Sequence, residues 1–335
     1  METDMKLNKI IVINMLVTLG FLSSCNSGGN RDNQVSSSSL APSTMRPQNS
    51  LVIKNGDPVH IPELNALVPL IKIKGKHNRL CSGVFLAPNK VLTAANCVME
   101  LHDKMLDQRF ESEDLLPTEK ISVIFPKKLL KPINTHTNNP SNWVVYHAQA
   151  IYVKSDVFIG VNILNNVLSV HDYQGINDLA IIELSVIPEY QVQMELASVA
   201  PQVNEEQMIV GFGQNTGNNI EAKEQNINNS GVIRVGKTIV SDITRSDIPS
   251  VLRIGGAISN DDPEVIACKG DLGGPSLIYN ESSLIYTVTG IVSLNYGINE
   301  CSTLPSIYMS VAYYKDWIES GYKTDSLKVI KVTKK

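Results

Sequence analysis

From Leu51 onward the apolar residues come in short runs, broken at close intervals by Gly, Pro, Asn and Asp. Leu67–Ile73, Leu179–Leu184, Met208–Val210 and Thr287–Leu294 are examples. Runs of this length bounded by turn-forming residues predict strands. Few stretches hold a helical period for three turns. The exception is Val311 to Ser320, where Tyr314, Trp317 and Ile318 fall at helix-compatible spacing. Many short strands and one terminal helix predict an all-β barrel or sandwich. No internal repeat recurs at a fixed period.

The first 50 residues follow other patterns. Ile10 to Leu22 is apolar except for Asn14, Thr18 and Gly20, and Lys6 and Lys9 precede it. The run is too short for a spanning helix and reads as the core of an export signal. Glu2 and Asp4 suit such a leader poorly, which favours Met5 as the start of translation. The run ends in Leu22-Ser23-Ser24-Cys25, which resembles the lipobox of bacterial lipoproteins. That resemblance implies a signal peptide over residues 1–24, cleavage before Cys25, a diacylglycerol on its thiol and attachment to a membrane. Asn26 after the Cys, rather than Asp, favours the outer membrane of the cell envelope. The alternative is an ordinary secreted protein with an incidental Cys. Residues 25–50 are rich in Ser, Asn, Gly and Pro, including Ser36 to Ser39, and read as a flexible tether. The domain is then expected over residues 51–322, with a basic tail over 323–335. Lys328, Lys331, Lys334 and Lys335 read as a solvated end, with contact to anionic lipid as the other possibility.

Composition changes this picture only by exclusion. Hydrophobic residues at 43% and charged residues at 19% belong to a folded globular chain, not a disordered one. The net charge of −4, with no concentration of Lys and Arg, sets nucleic-acid binding aside. No cofactor and no metal are expected. Of the five Cys, four remain for disulfides once Cys25 is lipidated. Cys81, Cys97, Cys268 and Cys301 allow three connectivities, and spacing alone does not choose among them.

Candidate chemistry lies in motifs spread along the domain. Cys81-Ser82-Gly83 is followed by Thr93-Ala94-Ala95-Asn96-Cys97; then come Asn177-Asp178-Leu179-Ala180 and Cys268-Lys269-Gly270-Asp271-Leu272-Gly273-Gly274-Pro275. These resemble, in order, the three catalytic motifs of the trypsin-like (chymotrypsin-fold) serine peptidases. Val210-Gly211-Phe212-Gly213, Gly290-Ile291-Val292-Ser293, Pro305-Ser306-Ile307-Tyr308 and Tyr314 to Ile318 resemble further segments of that family, again in its order. The resemblance covers about residues 51 to 320. It implies two six-stranded antiparallel Greek-key β-barrels with a short C-terminal helix. It also favours Cys81–Cys97 and Cys268–Cys301 as the disulfides.

The same alignment places Asn96 where the family carries its His and Leu272 where it carries its Ser. A Ser nucleophile needs an imidazole to take its proton, and a carboxylate to orient that imidazole. A carboxamide has no basic nitrogen near neutral pH. Leucine has no hydroxyl or thiol, and its side chain is expected to project where a scissile carbonyl would sit. Of the triad only Asp178 remains, so the site is expected to be dead as a serine peptidase. His60, His77, His102, His136, His147, His171 and Ser276 are the groups available for rescue, and none falls at a position that rebuilds the geometry.

The resemblance implies further roles. Gly270 keeps an oxyanion-hole N–H. Asn96 is expected to donate to Asp178 in a cluster with Ser293. Ile266 falls at the base of the primary pocket, with Ser293 and Ser306 on its walls, making any residual pocket apolar; it either binds a side chain without cutting or has collapsed. Family members free an Ile or Val amino group to pair with the residue equivalent to Asp271. Here Val52, not a basic residue, precedes Ile53, so Asp271 is expected to be hydrogen-bonded elsewhere or protonated. The long segment 98–177 is either a partner-recognition loop or a tolerated surface insertion. The function expected is that of a lipid-anchored, non-catalytic homologue binding a protein or peptide. The alternative is a surface endopeptidase with an unrecognised nucleophile.

Overall fold

A computed structural model describes residues 57 to 331, apart from 59–61, 76–77, 87, 101–107, 110, 128–141, 160, 165–166, 174–176, 190–191, 193, 214–231, 243–248, 260–263, 269 and 295–304. The chain divides into Met1–Arg46 and Pro47–Lys335, and every described residue belongs to the second unit. Cys25, the tether and Ile53 lie outside the described residues.

After β1 (Asp57–Pro58) and a short helix, α1 (Pro62–Leu67), come β2 (Leu70–Ile73), β3 (Arg79–Ser82), β4 (Val84–Leu86) and β5 (Lys90–Thr93). The expected strand Leu67–Ile73 is thus shorter than its apolar run. Pro62 sits at the first helical position, where its missing N–H costs nothing, and Pro69 cannot continue the helix, so the strand starts at Leu70. Most of the described residues of the segment 98–177 lie in strands: β6 (Gln108–Arg109), β7 (Ile121–Pro126), β8 (Trp143–Lys154), β9 (Phe158–Ile159), β10 (Val161–Leu164) and β11 (Val167–Tyr173). β12 (Ala180–Leu184) follows. β2, β7, β8, β12 and β5 pair in that order, and β5 continues to β4 while β2 continues to β3. With β3 and β4 separated only by Gly83, the set forms a six-stranded barrel.

The second half contributes β13 (Met194–Leu196), β14 (Glu206–Gly211), β15 (Arg234–Asp242), β16 (Val251–Ile254), β17 (Pro275–Asn280), β18 (Ile285–Leu294) and β19 (Ser306–Ser310). β15, β14, β17, β18, β19 and β16 pair in sequence, and β16 pairs back to β15, closing a second ring of six. Helix α2 (Val311–Glu319) buries Val311, Tyr314, Trp317 and Ile318, as its periodicity predicts.

Burial explains why many strands read as continuous apolar runs rather than alternating ones. Ile71, Val91 and Ile182 point into the first barrel, while their neighbours Leu70, Leu92 and Ile181 join a cluster that also holds Val210, Phe212, Leu277 and Val288 of the second. Strands buried on both faces need apolar residues at consecutive positions. The second barrel has its own filling, including Ile209, Val240, Leu252, Ile254 and Tyr308.

The tail departs from expectation. Residues 326–330 form β20 (Ser326–Ile330), paired antiparallel to β8 from Ser326↔Lys154 to Ile330↔Ala150. Leu327 and Val329 pack against the first-barrel core. The domain therefore continues past residue 322, because β20 adds to the edge of β8 while Leu327 and Val329 turn one apolar face onto the first-barrel core. Residues 332–335 lie outside the described residues.

Candidate functional site

Asp178 precedes β12 and is fully buried. Asn177 places it there from a left-handed backbone, φ 62°. Its amide donates to the Ser155 carbonyl at 2.9 Å, and its Oδ1 accepts the Tyr314 hydroxyl at 3.0 Å. Asn96 lies in the 3-10 turn Ala95–Cys97 after β5, also buried. Its backbone N–H donates to Asp178 Oδ1 at 2.9 Å, and its Nδ2 donates to Asp178 Oδ2 at 3.2 Å and to the Ser293 carbonyl at 2.9 Å. The Ser293 hydroxyl donates to Asp178 as well. The carboxamide thus spends both hydrogens on acceptors. Burial pushes the Asp178 carboxyl up to about 6 despite the donors from Ser293, Asn96 and Ala95.

Leu272 stands on the turn before β17, half-buried, and packs against the cores of both barrels. Its carbonyl accepts the Ser82 N–H at 2.8 Å. Gly270 and Gly273, with φ of +98° and +80°, give the turn its shape. Neither the Gly270 nor the Leu272 N–H donates to another described residue.

Asp271, between them, is buried and accepts the Gly213 N–H at 2.6 Å and the Cys268 N–H at 2.7 Å. Burial pushes it up to about 6, against the pull of those amides and of Arg234. A Cβ on Gly211 or Gly213 would fall 2.2 or 2.4 Å from its oxygens, so the carboxyl can approach only because both are glycine. Asp271, expected to be hydrogen-bonded elsewhere or protonated, thus accepts two backbone amides; Ile53 lies outside the described residues.

Ile266, Ser306 and Tyr308 are all shut off from solvent, and the Ser306 hydroxyl donates to the Ala267 carbonyl at 3.3 Å. A hollow of about 610 Å³ opens elsewhere, between residues 197–205 and Ile278, Thr287 and Thr289, and shares no lining residue with this site. Cys81 and Cys97 are joined. Cys268 is disulfide-bonded, while Cys301 lies outside the described residues. Of the rescue candidates, His147 is exposed on β8. Ser276 is buried, bonded to the Thr289 hydroxyl at 2.8 Å, with Gln207 accepting from Thr289 at 2.6 Å. The other five His side chains lie outside the described residues.

Two supporting residues escape a reading of the sequence. The Arg79 guanidinium donates to the carbonyls of Asn96 at 3.1 Å and Met99 at 2.7 Å, bracing the turn that carries Asn96. The Ser82 hydroxyl donates to the Gly270 carbonyl at 3.1 Å and accepts the Phe212 N–H at 3.0 Å, tying one barrel to the other. The Ser in Cys81-Ser82-Gly83, where the family pattern has Gly, is the one signal that pointed to it.

Comparison with known proteins agrees with this architecture. The family described as Trypsin matches residues 142–318, just over half of the chain. Chymotrypsin of Phaedon cochleariae is 24% identical over 279 residues, covering 81% of this chain and 82% of that protein. Trypsin eta of Drosophila erecta is 30% identical over 127 residues, covering 38% of this chain and 45% of that protein. Phenoloxidase-activating enzyme 1 of Spodoptera litura is 38% identical over 81 residues, covering 24% and 20%. With its two closed six-stranded barrels and this match, the chain belongs to the trypsin family.

Proposed function

We propose that the chain is a catalytically silent trypsin homologue, held to a membrane by lipid on Cys25, that binds a protein or peptide without cutting it. The observation that carries this reading is the commitment of Asn96. Both hydrogens of its Nδ2 go to Asp178 and the Ser293 carbonyl, in the place where a proton acceptor is needed. An amide that donates there cannot take a proton from a nucleophile. Leu272 supplies no nucleophile in any case, and its side chain fills space between the two barrel cores. Loss of triad members leaves at most about 10³–10⁴-fold acceleration over water, from the oxyanion hole and binding alone.

The buried state of Ile266, Ser306 and Tyr308 supports a filled pocket over an open one, so partner contact falls on the outer loops. Asp178, Asn96 and Ser293 then act as a satisfied buried cluster that fixes the turn beside the cleft. Incubating soluble residues 26–335 with a mixed peptide library tests the reading. It predicts no turnover above buffer; turnover that survives repurification would reinstate an endopeptidase with an unrecognised nucleophile. Metabolic palmitate labelling, lost in Cys25→Ala, tests the anchor separately.

A further inference from the structure

We infer that Arg234 is the positioning residue for Asp271, holding the turn 268–274 in shape from within the uncut chain. Arg234 opens β15 and lies directly opposite Gly211 of β14. Side chains of directly opposed residues in an antiparallel pair leave the sheet on the same face. At Gly211 that face is occupied by Asp271, whose Oδ1 lies 2.2 Å from where a Cβ would stand. The Arg234 side chain therefore leaves β15 toward the carboxylate, and Arg234 is half-buried there.

The surroundings leave it as the group of matching sign. Among the described residues, Arg234 is the one cation whose charge acts on Asp271. β14 offers only Gly211 and, just beyond it, Gly213. β19 contributes the Tyr308 phenol, which is buried and neutral and feels the Asp271 charge. The turn itself gives the Cys268 N–H. On its other side β15 pairs with β1, Pro58 opposite Arg234 and Asp57 opposite Val235. A buried carboxylate is costly without compensation, and a guanidinium cannot lose its proton at working pH.

Asp271 accepts the Cys268 N–H of its own turn and the Gly213 N–H just beyond β14, so its charge state and the turn's shape are linked. Counter-charge from β15 is present as soon as the second barrel folds, with no need for a cut before Ile53. This holds whether or not Leu272 has silenced the site, so its failure and that of the functional proposal are separable.

The test is amide hydrogen exchange on the full chain, shown by mass to be uncut. Protection at Asp271, Gly273 and Gly274, whose N–H groups bond Cys268, Val292 and Asp271, is compared with that at Val123 in the first barrel as an internal control. Arg234→Gln should speed exchange in the turn at least tenfold at pH 7.5, and much less at pH 5. Arg234→Lys should retain most of the protection. In an Asp271→Asn background, Arg234→Gln should add little. Unchanged exchange in Arg234→Gln, an equal effect with and without Asp271, or protection that appears only after cleavage before Ile53 would each overturn the inference.

Discussion

Two buried carboxyls dominate the chemistry of single residues here. Asp178 and Asp271 are both pushed up to about 6 by burial. A carboxyl whose folded value exceeds its unfolded value near 3.9 binds its proton more tightly in the folded chain. Its contribution to stability is complete below about pH 3.9 and is lost as pH rises through about 6. From these two groups, stability should therefore fall between pH 4 and 7, by up to about 1.4 kcal/mol per pH unit each. Urea denaturation across that range measures the slope, and Asp178→Asn should flatten it. Asn96→Ala removes the donor to Asp178 and to the Ser293 carbonyl, leaving two buried acceptors short of a partner. A loss of about 1–3 kcal/mol at pH 7 is expected. Asn96 and Leu272 were legible as departures from a motif because motif positions are local in sequence. Arg79 and Arg234 were not, because their partners sit in other segments and no local pattern announces them; Ser82 showed only as a departure from the motif, without its partners.

At the level of elements, apolar periodicity predicted the strands and α2 but misjudged both ends of the domain. α1 was hidden because Leu64 and Leu67 lead straight into the apolar run of β2. β20 was hidden by Lys328 within it and Lys331 just after it, although Leu327 and Val329 carry the alternation of a half-buried strand. Ending the chain after Asp325 removes Leu327 and Val329, and should uncover the β8 edge and the first-barrel core residues they pack against. Faster hydrogen exchange at Ala150–Lys154, with the second barrel unchanged, is the expected result. The Cys81–Cys97 bridge ties β3 to the turn carrying Asn96, across a sequence separation of 16. Replacing both with Ser should cost about 3 kcal/mol by loop-entropy reasoning, seen as a lower Tm in calorimetry.

For the whole molecule, two closed barrels share a core, and the motif-bearing segments meet where they join. Ser82 from the first barrel bonds Gly270 and Phe212 of the second, and Leu272 packs on both. On the proposed reading, the trypsin-family scaffold surrounds a cluster whose bonds serve folding. The most direct measurement of silence is labelling with a fluorophosphonate probe, run beside the Asn96→His/Leu272→Ser double variant. The account predicts no label on the native chain under conditions that label an active trypsin-family enzyme. Labelling of the double variant would add that the cleft reopens once Leu272 is gone. Stoichiometric, inhibitor-sensitive labelling of the native chain would contradict the account, and the labelled residue would name the nucleophile.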